Sequence, residues 1–206
     1  MSRYTGPRVK KMRALGVDLP GLSRKTMWDR AYPPGEHGPK NARRRRESDF
    51  KKQLQEKQKL RLNYGLTERQ FRRLYGEAVQ RKGDTGENLV ELLERRLDAV
   101  IYRMKFVPTV FAARQFINHG HIQVNGKRVN IPSFRVRDGD MITVREKSRE
   151  LPLVLDAIVS PERETPDYVD VDFQKMQGTL LRGPHLADIP YPVQMEPNLV
   201  VEFYSR

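Results

Sequence analysis

The chain has 206 residues, with 39 Lys+Arg against 26 Asp+Glu, so its formal net charge is +13. Hydrophobic residues make up 37%, below the ~45–50% (counted with Gly) of compact domains, which predicts a part with no core of its own. With no cysteine, no apolar run near the ~18–20 residues that span a bilayer and no apolar stretch at its start, the sequence argues against a disulfide scaffold, a thiol nucleophile, a membrane span and secretion, and predicts a cytosolic protein with a polyanionic partner.

Charge divides the chain unevenly. Residues 1–82 carry +15, residues 83–149 carry +4 and residues 150–206 carry −6. A surplus spread for solubility would not segregate in this way; an extended electrostatic contact near the N-terminus would.

Residues 1–45 show no clear periodicity and are rich in Pro and Gly, as in Tyr32-Pro33-Pro34-Gly35-Glu36-His37-Gly38. Tyr4, Met27, Trp28 and Tyr32 within this stretch argue for a segment that orders against RNA and the protein's own body, rather than a solvated tail. Arg43, Arg44, Arg45 and Arg46 follow as four adjacent guanidinium groups.

A helix is predicted over residues 48–63, stopped by Gly65. Thr67 and Gln70 have the spacing of a capping box. The helix they open carries Phe71, Leu74, Tyr75 and Ala78 on one face and Arg69, Arg72 and Arg73 on the other, read as an unpaired arginine stripe suited to phosphate. Residues 87–105 give the strongest helical stripe and are predicted as one helix. Thr109 is a candidate N-cap for a short helix ended by Gly120, on which Phe111 falls well away from the apolar face.

The period then changes to two. Ile122 and Val124 alternate with polar residues, and Asn125-Gly126 predicts a type I′ hairpin turn, with Val129 and Ile131 continuing on the far side. Further strands are predicted at 141–144 and around 169–173, and a short helix from Pro152 to Ile158. Residues 199–203 fit either a strand or a helix.

Three stretches between Leu97 and Val144 resemble the small RNA-binding module named after the fourth protein of the small ribosomal subunit: Leu-Asp-Ala-Val-Ile-Tyr-Arg-Met, Ala-Arg-Gln-Phe-Ile-Asn-His-Gly-His-Ile-Gln-Val-Asn-Gly-Lys-Arg-Val and Val-Arg-Asp-Gly-Asp-Met-Ile-Thr-Val. The flanks extend the resemblance to that ribosomal protein family over essentially the whole chain: Arg3-Tyr4-Thr5-Gly6-Pro7, Pro33-Pro34-Gly35-Glu36-His37-Gly38, Glu56-Lys57-Gln58-Lys59-Leu60-Arg61, Glu68-Arg69-Gln70-Phe71-Arg72 and Val201-Glu202-Phe203-Tyr204-Ser205-Arg206. Lacking cysteine, the chain resembles the zinc-free branch, and Val110 stands where the module usually has arginine.

The resemblance implies a structural constituent of the small subunit. Its members are primary binders of small-subunit ribosomal RNA that nucleate assembly of the subunit body. It also implies the fifth small-subunit protein as a neighbour, and messenger RNA at the channel through which it enters the subunit, where the family contributes to translational accuracy. The expected fold is α+β in three parts: an extended basic segment (1–45), a helical RNA-binding domain (46–94) on which residues 185–206 pack, and an α/β module (95–184) with antiparallel strands and its motif at about 97–160.

The expected site is therefore a surface. Arginine suits it because its planar fork donates paired hydrogen bonds and stays charged. The candidates are Arg43, Arg44, Arg45, Arg46, Lys51, Lys52, Lys57, Arg61, Arg69, Arg72 and Arg73, then Arg114 (from the module's Ala-Arg-Gln), Gln115, His119, His121, Asn125, Lys127 and Arg128. Asn125 has a second reading, in which it is present only because the turn needs positive φ. No Cys or carboxylate sits at ligand spacing beside His119 and His121, so neither a metal nor another cofactor is expected. The competing classes are an RNA-modifying enzyme or a free RNA-binding quality-control factor built on the same module. Against the enzyme, only the 57 residues 150–206 remain for a catalytic domain, which usually takes 100 or more.

Overall fold

The computed structural model describes residues 4–30, 32–36, 38, 48–161, 163–191 and 195–205. Two compact units emerge: Met1–Leu89 with Tyr191–Arg206, and Val90–Pro190.

The first unit is helical, and it begins earlier than the sequence suggests. Helix α1 (Arg8–Leu15) lies inside the stretch expected to lack regular structure. Pro7 sets the extended entrance and Gly16, at φ 70°, closes the helix by donating its N–H to the Met12 carbonyl. Only Met12 of this helix is buried, so it has no apolar stripe to betray it. Met12, Leu19 and Leu22 are fully buried. Gly21 passes so close to the end of the next helix that a Cβ there would stand 2.3 Å from the Asn63 carbonyl oxygen. Its N–H donates to Asn63 Oδ1 at 3.2 Å.

Helix α2 (Asp49–Asn63) starts where Ser48 accepts from the Lys51 N–H. The capping box is present: Thr67 Oγ1 accepts from the Gln70 N–H at 3.4 Å, Gln70 Oε1 accepts from the Thr67 N–H at 3.2 Å, and α3 (Glu68–Gln80) follows. Residues 199–203 resolve as part of a helix, Pro197–Tyr204, which packs on α2. The Phe50 and Phe203 rings meet at 5.7 Å, and Gln53 Nε2 donates to Glu202 at 2.8 Å.

The helix expected over 87–105 is two helices, α4 (Thr85–Glu94) and α5 (Leu97–Arg103). Arg96 is extended (φ −75°, ψ 138°) and forms an isolated bridge with Arg135. Around it Leu97 N–H donates to Phe134 O at 2.9 Å, Asp98 N–H to Pro132 O at 3.1 Å and Val136 N–H to Arg95 O at 2.8 Å. Pairing with the 132–136 loop thus outcompetes continuation of the helix through Arg95 and Arg96. The apolar stripe conceals the break because Leu92, Leu93, Leu97 and Ile101 are all fully buried across it.

Helix α6 (Val110–Asn118) is capped by Thr109, whose hydroxyl accepts from the Ala112 N–H at 3.1 Å. Phe111 is 8% exposed and so is buried within the chain, which sets aside the reading of it as a partly exposed aromatic. Strands β1 (Ile122–Val124) and β2 (Lys127–Arg128) form the hairpin, with Asn125 at φ 50° and Gly126 at φ 76°, as a type I′ turn demands. Strand β2 is shorter than expected: Ile131 lies beyond it, half-exposed. Then come β3 (Met141–Val144), α7 (Pro152–Val159), β4 (Val169–Asp172) and β5 (Gln177–Leu180), and α8 is the Pro197–Tyr204 helix of the first unit. The sheet is antiparallel in the order β2-β1-β3-β5-β4. Sequence patterning missed β5 because its buried position opposite Ile142 is filled by Gly178 rather than a bulky side chain.

Candidate nucleic-acid interface

In the helical unit, α3 turns Phe71, Leu74 and Ala78 inward, which leaves Arg69, Arg72 and Arg73 exposed on the opposite side. The stripe is not wholly unpaired. Arg73 lies 3.4 Å from Glu77, but its side chain is 83% exposed, and such a surface pair is weak enough to exchange for phosphate. Lys51 and Lys52 are exposed on the first turns of α2, Lys52 within 3.6 Å of Asp49.

Two cations predicted for this surface point inward. Lys57 is 6% exposed; its ammonium donates to Glu68 at 2.9 Å and sits 4.5 Å from the Phe203 ring centroid. It ties α2 to α3 and α8 and is not a surface contact, because the aromatic end of α8 covers it. Arg61 donates to Gln58 Oε1 at 3.0 and 2.6 Å and to the Leu66 carbonyl at 3.2 Å, and its side chain is 20% exposed. Burial alone would raise the Glu68 carboxyl. Hydrogen bonds from Tyr204 and Lys57, with the charges of Lys57 and Arg61, overcome this and hold it below the usual glutamate value. Arg43, Arg44, Arg45 and Arg46 lie outside the described residues.

In the α/β unit the arginines of the helix pair are locked to carboxylates. Asp98, with a side chain 1% exposed, accepts from Arg96 at 3.0 and 2.7 Å and from Arg114 at 2.8 Å. Glu94, fully buried, accepts from Arg103 and from the Tyr168 hydroxyl at 3.1 Å. Arg114, carried over from the family motif as an RNA contact, is therefore a strut between α5 and α6, with a side chain 13% exposed.

The other module candidates gather at one end of the fold. Gln115, His119 and His121 line a cleft of about 300 Å³ whose remaining walls include Phe116, Leu151 and Leu153. Phe116 stacks on His121 at 4.7 Å, and His121 Nδ1 shares a hydrogen bond of 2.8 Å with the Ser148 hydroxyl. Burial, and then the neighbouring His119, Arg145 and Arg128, push the His121 imidazole below its ordinary pKa. It is thus neutral near pH 7, suited to a base edge or a ribose hydroxyl rather than to phosphate. Lys127 and Arg128, both exposed on β2, are the charges beside the cleft suited to phosphate; Arg128 also donates to the His119 carbonyl at 3.4 Å. Asn125 is committed to the turn, as its second reading had it. Its amide donates to Asp140 at 2.8 Å and its oxygen accepts from the Met141 N–H at 2.9 Å.

Arg145 and Ser148 were missed. Arg145 donates to the Gly120 carbonyl at 3.2 Å beside the cleft. No local spacing links either residue to a helix 25 or more positions earlier, and only the pairing of β1 with β3 brings them there.

The opposite edge of the same sheet is acidic. Asp170 is exposed on β4 and Asp167 is exposed just before it. Asp172 accepts from the N–H groups of Gln174 and Lys175, which holds its carboxyl below the usual value.

Residues 3–94 match the family described as the ribosomal protein S4/S9 N-terminal domain, and residues 95–142 match the S4 domain. Aligned over 207 positions that cover both chains completely, the chain is 59% identical to the small ribosomal subunit protein uS4 of Acidiphilium cryptum. It is 58% identical, with the same coverage, to the proteins of that name from Dinoroseobacter shibae and Gluconobacter oxydans.

Proposed function

The chain belongs to the S4 family of small-subunit ribosomal proteins, and from that premise we propose that it is a primary binder of small-subunit ribosomal RNA whose attachment starts assembly of the subunit body. It is a structural, RNA-binding constituent of the cytoplasmic ribosome and not an enzyme.

The observation that carries the assembly reading is the sorting of charge in the fold. Exposed arginines line α3, exposed Lys127 and Arg128 line one sheet edge beside a cleft with a neutral histidine, and carboxylates line the other edge. Phosphate is attracted to the first two surfaces and repelled by the third. The acidic edge at Asp167, Asp170 and Asp172 suits a basic protein neighbour, and the fifth small-subunit protein is the partner proposed for it. Arg43, Arg44, Arg45 and Arg46 are assigned a double role, docking on ribosomal RNA and holding messenger RNA as it enters the subunit, where translational accuracy is influenced.

Hydroxyl-radical footprinting on naked small-subunit ribosomal RNA tests the reading. The expected result is protection of a compact set of helices by this protein alone, lost by orders of magnitude in affinity between about 50 and 200 mM salt if 6–10 phosphates are contacted. Absence of protection until other proteins are added would remove the primary role, and a salt-independent affinity would remove the electrostatic one.

A further inference from the structure

The chain has one tryptophan, and no core takes it in. Trp28 is 72% exposed, whereas a tryptophan side chain normally contributes some 150–250 Å² to a core or an interface. The ring stands on a defined turn. Leu19 and Leu22, fully buried, anchor the chain just before it. The Met27 N–H donates to Asp18 Oδ1 at 2.9 Å, and the Arg30 N–H donates to the Met27 carbonyl at 3.0 Å, closing a single helical turn over Trp28–Arg30.

The surroundings of the ring select its partner. Arg24, Lys25 and Arg30 are all exposed, and Asp29 is the only acid from residue 24 to residue 30. An exposed aromatic among cations is poorly matched to a basic protein and well matched to a strand that offers both a π-face and phosphates.

We propose that Trp28 is a stacking platform for an unpaired base of the bound RNA, with Arg24, Lys25 and Arg30 on the adjacent phosphates. This rests on the RNA-binding reading above and adds a contact with single-stranded RNA to it. Stacking tolerates any base, because every base has a π-face, so the site selects an unpaired nucleotide rather than a sequence.

Being the sole tryptophan, Trp28 reports on itself. The full-length protein is titrated with naked small-subunit ribosomal RNA while tryptophan emission and filter-binding affinity are followed together. Emission is expected to quench in step with binding. Trp28→Ala should weaken affinity about 5- to 150-fold, the range of losses when a stacking aromatic is removed, and Trp28→Phe should recover most of it. Neither change should move the unfolding midpoint, since the ring is exposed. RNA that binds without quenching, or a Trp28→Ala protein with normal affinity, overturns the stacking proposal and leaves the RNA-binding reading standing. Wild-type protein that does not bind the RNA overturns that reading itself. A blue shift with phosphatidylglycerol vesicles and no response to RNA overturns the proposal in favour of a lipid surface.

Discussion

The two units use arginine in opposite ways. On α3 of the helical unit, Arg69, Arg72 and Arg73 stand in solvent above a packed apolar face. In the α/β unit, Arg96, Arg103 and Arg114 are turned inward onto Asp98 and Glu94. The same side chain is a proposed docking group in one place and an internal brace in the other, and sequence spacing does not distinguish them. The carboxylate within reach does: Asp98 and Glu94 are buried beside their arginines, whereas on the α3 stripe the pair seen among the described residues joins 83%-exposed Arg73 to Glu77. Counting positive charge therefore overstates the outward-facing surface in both units, at Arg114 in the module and at Lys57 and Arg61 in the helices.

The comparison can be broken hardest at Asp98. Asp98→Ala would leave Arg96 and Arg114, with side chains 6% and 13% exposed, without their anion. Losing one partner of a buried pair costs about 3–5 kcal/mol, so the urea midpoint of the variant should fall steeply. An unchanged midpoint would mean that the brace carries no stability. The mirror experiment removes the exposed stripe. Replacing Arg69, Arg72 and Arg73 together by alanine should shift stability by no more than about 0.5 kcal/mol each, but should flatten the plot of log affinity against log salt by up to ~0.9 for each phosphate left without its arginine. A collapse in stability with an unaltered slope would reverse the roles assigned to the two sets.

Lys57, like Arg61, turns inward in the helical unit, and its replacement gives the smallest effect. Because the folded Glu68 carboxyl is held below its ordinary 4.5, the stability it adds is complete above that pH and is lost as pH falls through the lowered folded value. Lys57→Met removes a main cause of the lowering. The acid-side loss of stability, followed as unfolding midpoint from pH 7 to pH 2, should shrink by under about 1 kcal/mol, since Glu68 is partly in solvent. An identical acid limb in the variant would show that the pair does not hold the carboxylate.

Local chemistry was readable where it was self-contained. The Thr67–Gln70 box, the Thr109 cap and the Asn125-Gly126 turn each need only neighbours in sequence, and each is present. What escaped depends on distant partners. The break at Arg96 is decided by the 132–136 loop, and β5 by a glycine whose smallness is its contribution. The inward turn of Lys57 depends on α8, more than 130 residues later. For α1 the reason differs: a helix held by its terminal Pro and Gly, with one buried side chain, has no periodic signature.

The Glu94 carboxylate bears on where the module can be cut out and grafted elsewhere. It sits just ahead of the extended Arg96, at the point where the helical stripe is interrupted and a boundary would naturally be drawn. Yet it is the anion for Arg103 and the acceptor for Tyr168, two residues deep in the α/β unit. A fragment opened at residue 95 would carry both donors into a folded interior without the carboxylate that receives them. A transplantable cassette must therefore start upstream, on α4, and bring with it a turn of helix that belongs to the module by electrostatics rather than by motif.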